Sequence, residues 1–396
     1  MPEIPDPILI RHLAPKNFLS FGPDNAGIDL RSLNLLIGPN GSGKSNLIEA
    51  IDFLRASIKE WREVLRKGGG VNEWIWKGNA GAVAMVEWIV QKPTRGIMPL
   101  RHRVAFHSQG QAFALLQELV ENEFPDKGKK RPDYYYRYEN GKPLARKSGS
   151  PGPIGLVLGT LELDRSIIGQ RNDPEFYPQL AWLHSRYAKI RIYREWSMGR
   201  NSPLRQPQAA DMRNDFLAED FSNLGLFLSK LRKTPKAKKA IIDNLKKLYD
   251  SVTDFDVVVE GGTVQVFFTE GDFVIPASRL SDGTLRFLCL LAILCDPNPP
   301  HLVCIEEPEL GLHPDILPTV ADLLKSASER TQIIVTTHSD ILVDAMTDRP
   351  ESVVVCEKHE GKTEMSRLSA TDLAVWLEKY RLGELWIDGQ LGGKRW

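Results

Sequence analysis

From residue 33 the chain reads Leu-Asn-Leu-Leu-Ile and then breaks at Gly38, a short apolar run of the kind that fills a buried strand. Past Ser45 the rhythm changes. Leu47, Ile48, Ile51 and Leu54 recur at steps of three and four, which is one face of a helix. Another strand is predicted over 82–90, after the break at Gly68-Gly69-Gly70. The last third repeats both rhythms, with strands predicted over 257–268, 302–305, 332–336 and 352–356 and helices over 283–295 and 314–329. Strands alternating with helices across short connections imply a parallel sheet.

Between about 96 and 253 the pattern is less regular. A polar, basic, tyrosine-rich stretch over 127–147 predicts an exposed loop or hairpin, and helical spacing is clearest over 215–231 and 236–249. The expected class is therefore α/β: a nucleotide-binding head with a mainly parallel sheet, interrupted by a mostly helical middle lobe. The expected segments are 1–95 and 254–358 for the head, 96–253 for the lobe and 359–396 for a tail.

Composition narrows the functional classes. With 42% hydrophobic and 26% charged residues the chain has the balance of a folded protein. Lysine plus arginine equals aspartate plus glutamate, 51 against 51, so no global charge draws it to nucleic acid. Cys289, Cys295, Cys304 and Cys356 sit in apolar runs without metal-ligand spacing. The first seven residues, from Met1 to Pro7, carry no basic-then-apolar leader, and no run reaches the ~18 apolar residues of a membrane span. A cytoplasmic protein with no membrane association is expected.

Four motifs carry the chemistry. Gly38-Pro39-Asn40-Gly41-Ser42-Gly43-Lys44-Ser45 fits G-x-x-x-x-G-K-[ST], after a strand and before a helix. Its glycines let successive N–H groups point at phosphate oxygens, the helix dipole adds to them, and Asn46 opens the first turn. Lys44 would reach the β- and γ-phosphates and Ser45 would ligate Mg²⁺. The second motif is the predicted strand 302–305 running into Glu306-Glu307, at the strand end where ligands of such sheets sit. Glu306 is assigned to the metal and Glu307 to the attacking water. Third, Ser281-Asp282-Gly283 opens an apolar helix, where it either caps the helix or presents a hydroxyl and N–H groups to a γ-phosphate. Fourth, His338 follows the strand 332–336 and could hydrogen-bond the γ-phosphate and orient the water.

As a set, "NLLIGPNGSGKSNLIEAIDFL", "LSDGTLRFLCLLAIL", "IEEPELGLHPD" and "TTHSD" resemble the ABC-type ATPases of the RecF/SMC-like branch, including overcoming-lysogenization-defect (OLD) ATPase domains and stand-alone "AAA family" ATPases. The likeness covers roughly 8–90 and 255–358. It implies ATP and Mg²⁺ as cofactors. It also implies a homodimer or higher oligomer in which Ser281 and Gly283 of one copy close on the ATP held by Gly38 to Ser45 of the other. A sensor or regulatory ATPase of an anti-phage module, acting with a separately encoded effector, is the first expectation for its role. A RecF-like DNA-repair ATPase is the alternative.

Departures from the family pattern are Asp282 within LSDGT and Glu306 where aspartate is common. Gln206 and Gln208 are the candidates for a metal-sensing glutamine. Glu309 and His313 either contact the partner copy or cap the helix at Pro314. Phe18 and Phe21 either pack near adenine or in the strand core. The basic runs Lys127 to Arg131 and Arg232 to Lys247, with tyrosines 134, 135, 136 and 138, read as a DNA track or as solvated faces. The tail with Trp386 and Trp396 docks either on another protein or on its own head.

Overall fold

The computed structural model describes residues 7–79, 81–92, 97–150 and 152–393. The leader stretch through Asp6 and the tail residues Lys394, Arg395 and Trp396 lie outside the described residues.

A six-stranded sheet organises the head, in the order Ile190–Tyr193, Leu302–Glu306, Gln332–Thr336, Leu33–Ile37, Val353–His359, Lys362–Arg367. Neighbours pair in parallel except at the last pair, where Lys362–Arg367 turns back. The strands Leu302–Glu306, Gln332–Thr336 and Leu33–Ile37 are buried along almost their whole length because both faces are covered. The pleat sends Leu35, Ile37, Val303, Ile305, Ile333 and Val335 to one core and Leu36, Leu302, Cys304, Ile334, Val354 and Cys356 to the other. The first face packs on the helix Asp282–Leu294, whose residues from Leu285 to Leu294 are all buried and, apart from Arg286, apolar. The second face packs on the helix Lys44–Ala56.

A second layer is an eight-stranded antiparallel sheet built around Ile10–Lys16, Ala84–Val90, Leu100–Gln109 and Ala112–Asn122. Gln332 ties it to the parallel sheet: its buried amide accepts from Leu9 and Ile10 N–H and donates to the Ile10 and Arg31 carbonyls. A small third sheet joins Gln208–Ala209, Val252–Glu260, Thr263–Glu270 and Phe273–Pro276.

The α/β head is as expected. The middle region corrects the reading of it as mostly helical: its first half is strand, and its helices, Ile167–Gln170, Pro178–Tyr187, Leu224–Arg232 and Pro235–Leu245, come later. The antiparallel sheet also runs across the expected boundary at 95/96. The physical cause is cross-strand neutralisation: Arg103 pairs with Glu87 and Arg101 with Glu121, so charged side chains alternate with Leu100, His102 and Val104, which are buried. The tyrosine-rich stretch forms the hairpin Tyr134–Glu139 and Lys142–Ala145. Tyr136 and Tyr138 are buried in it and offer no stacking platform.

Candidate functional site

Gly38 leaves the strand Leu33–Ile37 with φ 142, and a Cβ there would lie 2.1 Å from the Cys356 carbonyl oxygen. Gly43, with φ 100, meets Thr363 Oγ1 just as closely, also at 2.1 Å. Only glycine lets the loop pack this closely against Cys356 and Thr363 on the paired strands Val353–His359 and Lys362–Arg367. Thr363 secures that passage: its Oγ1 donates to the Ser42 carbonyl at 2.9 Å and pairs with Ser20 Oγ at 2.6 Å, and Asn46 Nδ2 donates to the same Ser20 oxygen. Pro39, Asn40 and Gly41 complete the rim. Lys44, buried at the start of its helix, donates to the Gly38 and Pro39 carbonyls at 2.8 and 2.9 Å. Burial lowers its pKa from the ordinary value.

Across the sheet, Glu306 ends the strand Leu302–Glu306. Ser45 Oγ donates to Glu306 Oε2 at 2.9 Å, so the two residues expected at the metal lie together although 261 positions separate them. Glu307 follows with φ 47, a left-handed backbone that is strained for any residue but glycine. Bonds from its N–H to the Thr336 carbonyl and hydroxyl hold it there. His338 Nε2 stands 3.8 Å from Glu307 Oε1. The four expected elements of one half-site, Lys44, Ser45, the Glu306-Glu307 strand end and His338, therefore converge on the carboxyl edge of one sheet.

The fit for a nucleotide and Mg²⁺ can be tested on the loop itself. Ser42 Oγ is buried without a hydrogen-bond partner in the cradle that the glycines leave open. A hydroxyl and a carboxylate already meet at the metal position, and Mg²⁺ is held by few protein oxygens plus phosphate and water. These residues fit the pair.

The remaining expectations sort as follows. Ser281 caps its helix by accepting from Thr284 N–H, and Ser281 and Asp282 are exposed. Gly283 comes close to the Gly311 carbonyl, where a Cβ would lie at 2.9 Å. Asp282 is not left as a bare charge, since Arg205 pairs with it and also donates to the Ser278 and Leu280 carbonyls. His313 Nδ1 caps the turn Pro314–Ile316. Glu309 does not cap that helix: it accepts from Thr337 Oγ1 and His338 N–H, both at 2.7 Å, and burial raises its pKa. Phe18 and Phe21 are buried, and Phe18 packs against Phe53, Trp74 and Phe106 in the core. Gln208 spends its amide oxygen on Gly225 N–H. Trp386 is buried and donates to the Gly393 carbonyl, while Gly393 N–H donates to Glu357, so the tail docks on its own head beside Gly38.

Sequence reasoning missed Thr363, Arg205, Arg194 and Arg286. Arg194 sits just past the strand Ile190–Tyr193, opposite Glu306. Arg286 lies over the Trp196 ring and donates to the Leu310 carbonyl, joining the helix Asp282–Leu294 to the loop after Glu307.

A family model described as "AAA domain, putative AbiEii toxin, Type IV TA system" matches residues 33–344. Among solved structures, an SmcHead bound to the C-winged helix domain of ScpA shares 15% identity at a TM-score of 0.58, covering 93% of this chain and all of that one. An Smc head domain with an extended coiled coil, bound to the C-terminal domain of ScpA from Pyrococcus furiosus, shares 14% at 0.59, covering 94% and 99%. One from Pyrococcus yayanosii, with a coiled coil and joint, shares 13% at 0.52, covering 94% and 99%. At these identities the likeness is one of fold. No curated protein sequence matches the chain significantly.

Proposed function

Because the chain belongs to the AbiEii-like AAA-domain family and carries an ABC-type, SMC-head-like ATPase fold, we propose that it binds and hydrolyses Mg²⁺-ATP at sites shared by two copies of itself. The observation that carries the reading is the Ser45–Glu306 hydrogen bond with Glu307 and His338 beside it on the same sheet edge. The loop N–H groups and Lys44 bind the phosphates, Ser45 and Glu306 would hold Mg²⁺, and Glu307 accepts the proton of the attacking water while His338 orients it. Bound Mg²⁺ would supply charge neutralisation of the phosphate oxygens. Bonds to Thr336 hold the Glu307 backbone and its carboxylate stands 3.8 Å from His338, so the base is placed before nucleotide arrives, which is electrostatic preorganisation. A cavity of about 550 Å³ beside Asn46, lined by Leu19, Ser20 and Trp76, has room for the base.

Exposed Ser281 at the start of its helix completes the partner's site. The cycle then alternates between engaged and separate heads. The toxin and type IV toxin–antitoxin wording of the family description supports a regulatory ATPase of a bacterial defence module working with a separate effector. The matched SmcHead bound to a winged-helix domain supports a protein partner for a head of this shape. The DNA-repair alternative has weaker support: Arg232, Lys238 and Lys239 of the basic run are each paired with an aspartate, which interrupts the track.

Two variants test the reading. Lys44→Ala should lose nucleotide binding, and Glu307→Gln should keep it, hydrolyse slowly and accumulate as dimer on size-exclusion with light scattering when ATP is added. Wild-type turnover by Glu307→Gln would remove the catalytic assignment. A monomer under every nucleotide condition would remove the shared site.

A further inference from the structure

The metal carboxylate is not alone at the strand end. Its Oε2 takes the Ser45 hydroxyl, and its Oε1 faces Arg194 Nε at 3.5 Å. Parallel pairing of Ile190–Tyr193 with Leu302–Glu306 puts Tyr193 opposite Ile305, and so delivers Arg194 to the level of Glu306. Arg194 is held from a second side. Its Nη1 reaches Glu49 Oε1 at 2.5 Å and its Nη2 stands 3.8 Å from Asp52 Oδ2. Ser45, Glu49 and Asp52 are spaced by four and three on the helix Lys44–Ala56, so one helix face presents the hydroxyl to Glu306 and both carboxylates to the guanidinium. All three partners of Arg194 are only partly exposed, between 15% and 26%, so solvent screens the charge incompletely.

Three carboxylates around one fixed cation make a site where a divalent ion meets a positive charge already in place. We propose that Arg194 is a positioning residue for Glu306 that keeps divalent metal out until a nucleotide brings it in, so that metal and nucleotide bind as a pair. This rests on the reading of Ser45 and Glu306 as the metal-holding residues. An ammonium or guanidinium cannot be displaced by Mg²⁺ alone at low cost, because the ion would sit beside like charge. Phosphate oxygens reverse that balance, since they bring negative charge to the metal's other side.

The probe is Mn²⁺ followed by electron paramagnetic resonance, with and without ADP. Wild type should bind Mn²⁺ weakly alone and much more tightly with ADP. Arg194→Gln should bind Mn²⁺ without nucleotide at least about tenfold more tightly, a lower bound on the effect of removing one unit charge in contact at an effective dielectric of about 20. Arg194→Lys, which keeps the charge, should stay within about threefold of wild type. The double variant Arg194→Gln with Glu49→Gln has the same net charge in the cluster as wild type, and should return towards wild-type Mn²⁺ binding. Should Arg194→Gln fail to fold, Glu49→Gln alone tests the same charge count: with ADP present it should raise the Mn²⁺ needed for half-saturation. Unchanged or weaker nucleotide-free binding in Arg194→Gln, or tighter binding in Glu49→Gln, overturns the proposal. Ser45→Ala separates the two readings. It should weaken Mn²⁺·ADP binding, and if it does not, the metal assignment itself falls, whatever Arg194 does.

Discussion

Thr363→Val removes one hydroxyl and keeps the shape of a residue that is 2% exposed. It lies 321 positions from the loop it secures and outside the residues that the family model matches. The hydroxyl makes two bonds, to the Ser42 carbonyl at 2.9 Å and to Ser20 Oγ at 2.6 Å, and Ser20 in turn receives Asn46. A hydrogen bond of this kind contributes about 0.5–1.5 kcal/mol net, so two are worth about 1–3 kcal/mol. If that energy holds the loop in its phosphate-ready shape, nucleotide affinity should fall roughly five- to hundredfold. Gly43 gives the loss its direction, because the loop presses against Thr363 there with no Cβ to spare. The assay is equilibrium titration with a fluorescent ATP analogue, alongside a thermal melt. Thr363→Ser keeps the hydroxyl and should bind within about twofold of wild type. A folded Thr363→Val protein with wild-type affinity would refute the claim that this strand positions the loop.

Two further outcomes are expected. Burial raises the Glu309 pKa against the pull of its bonds from His338 and Thr337, so its contribution to stability is fully present below the ordinary value of 4.5 and is lost as pH rises through the folded value. Glu309→Gln, a mimic of the protonated form, should therefore match or exceed wild-type stability at neutral pH and lose that advantage on acidification; melts showing an equal deficit at both pH values would contradict this. Arg205→Ala should leave Asp282 uncompensated at the helix start, weakening ATP-dependent dimerisation about tenfold while monomer nucleotide binding stays within about twofold, and adding Asp282→Asn should recover part of the loss; light scattering and titration read the two effects separately.

What the sequence determined by itself is local. Short, largely apolar runs fixed the strands Leu33–Ile37 and Gln332–Thr336, because both faces of a parallel sheet are dry. Glycines at tight φ, a lysine and a hydroxyl fixed the phosphate loop, and the order of motifs along the chain named the family. Glu306, Glu307 and His338 were legible because strand ends can be read from where an apolar run stops.

Tertiary structure decided everything that depends on who stands beside whom. The strands Leu100–Gln109 and Ala112–Asn122 escaped notice because their charges are neutralised across the ladder by Glu87 and Glu121, which no periodicity within one segment reveals. Thr363, Arg194 and Arg205 carry no motif. Each acquires its role from sheet register or chain crossing that brings it to Ser42, Glu306 and Asp282. Local energetics choose a residue's conformation, whereas a hydrogen bond between positions hundreds of residues apart exists only once the sheet has chosen its neighbours.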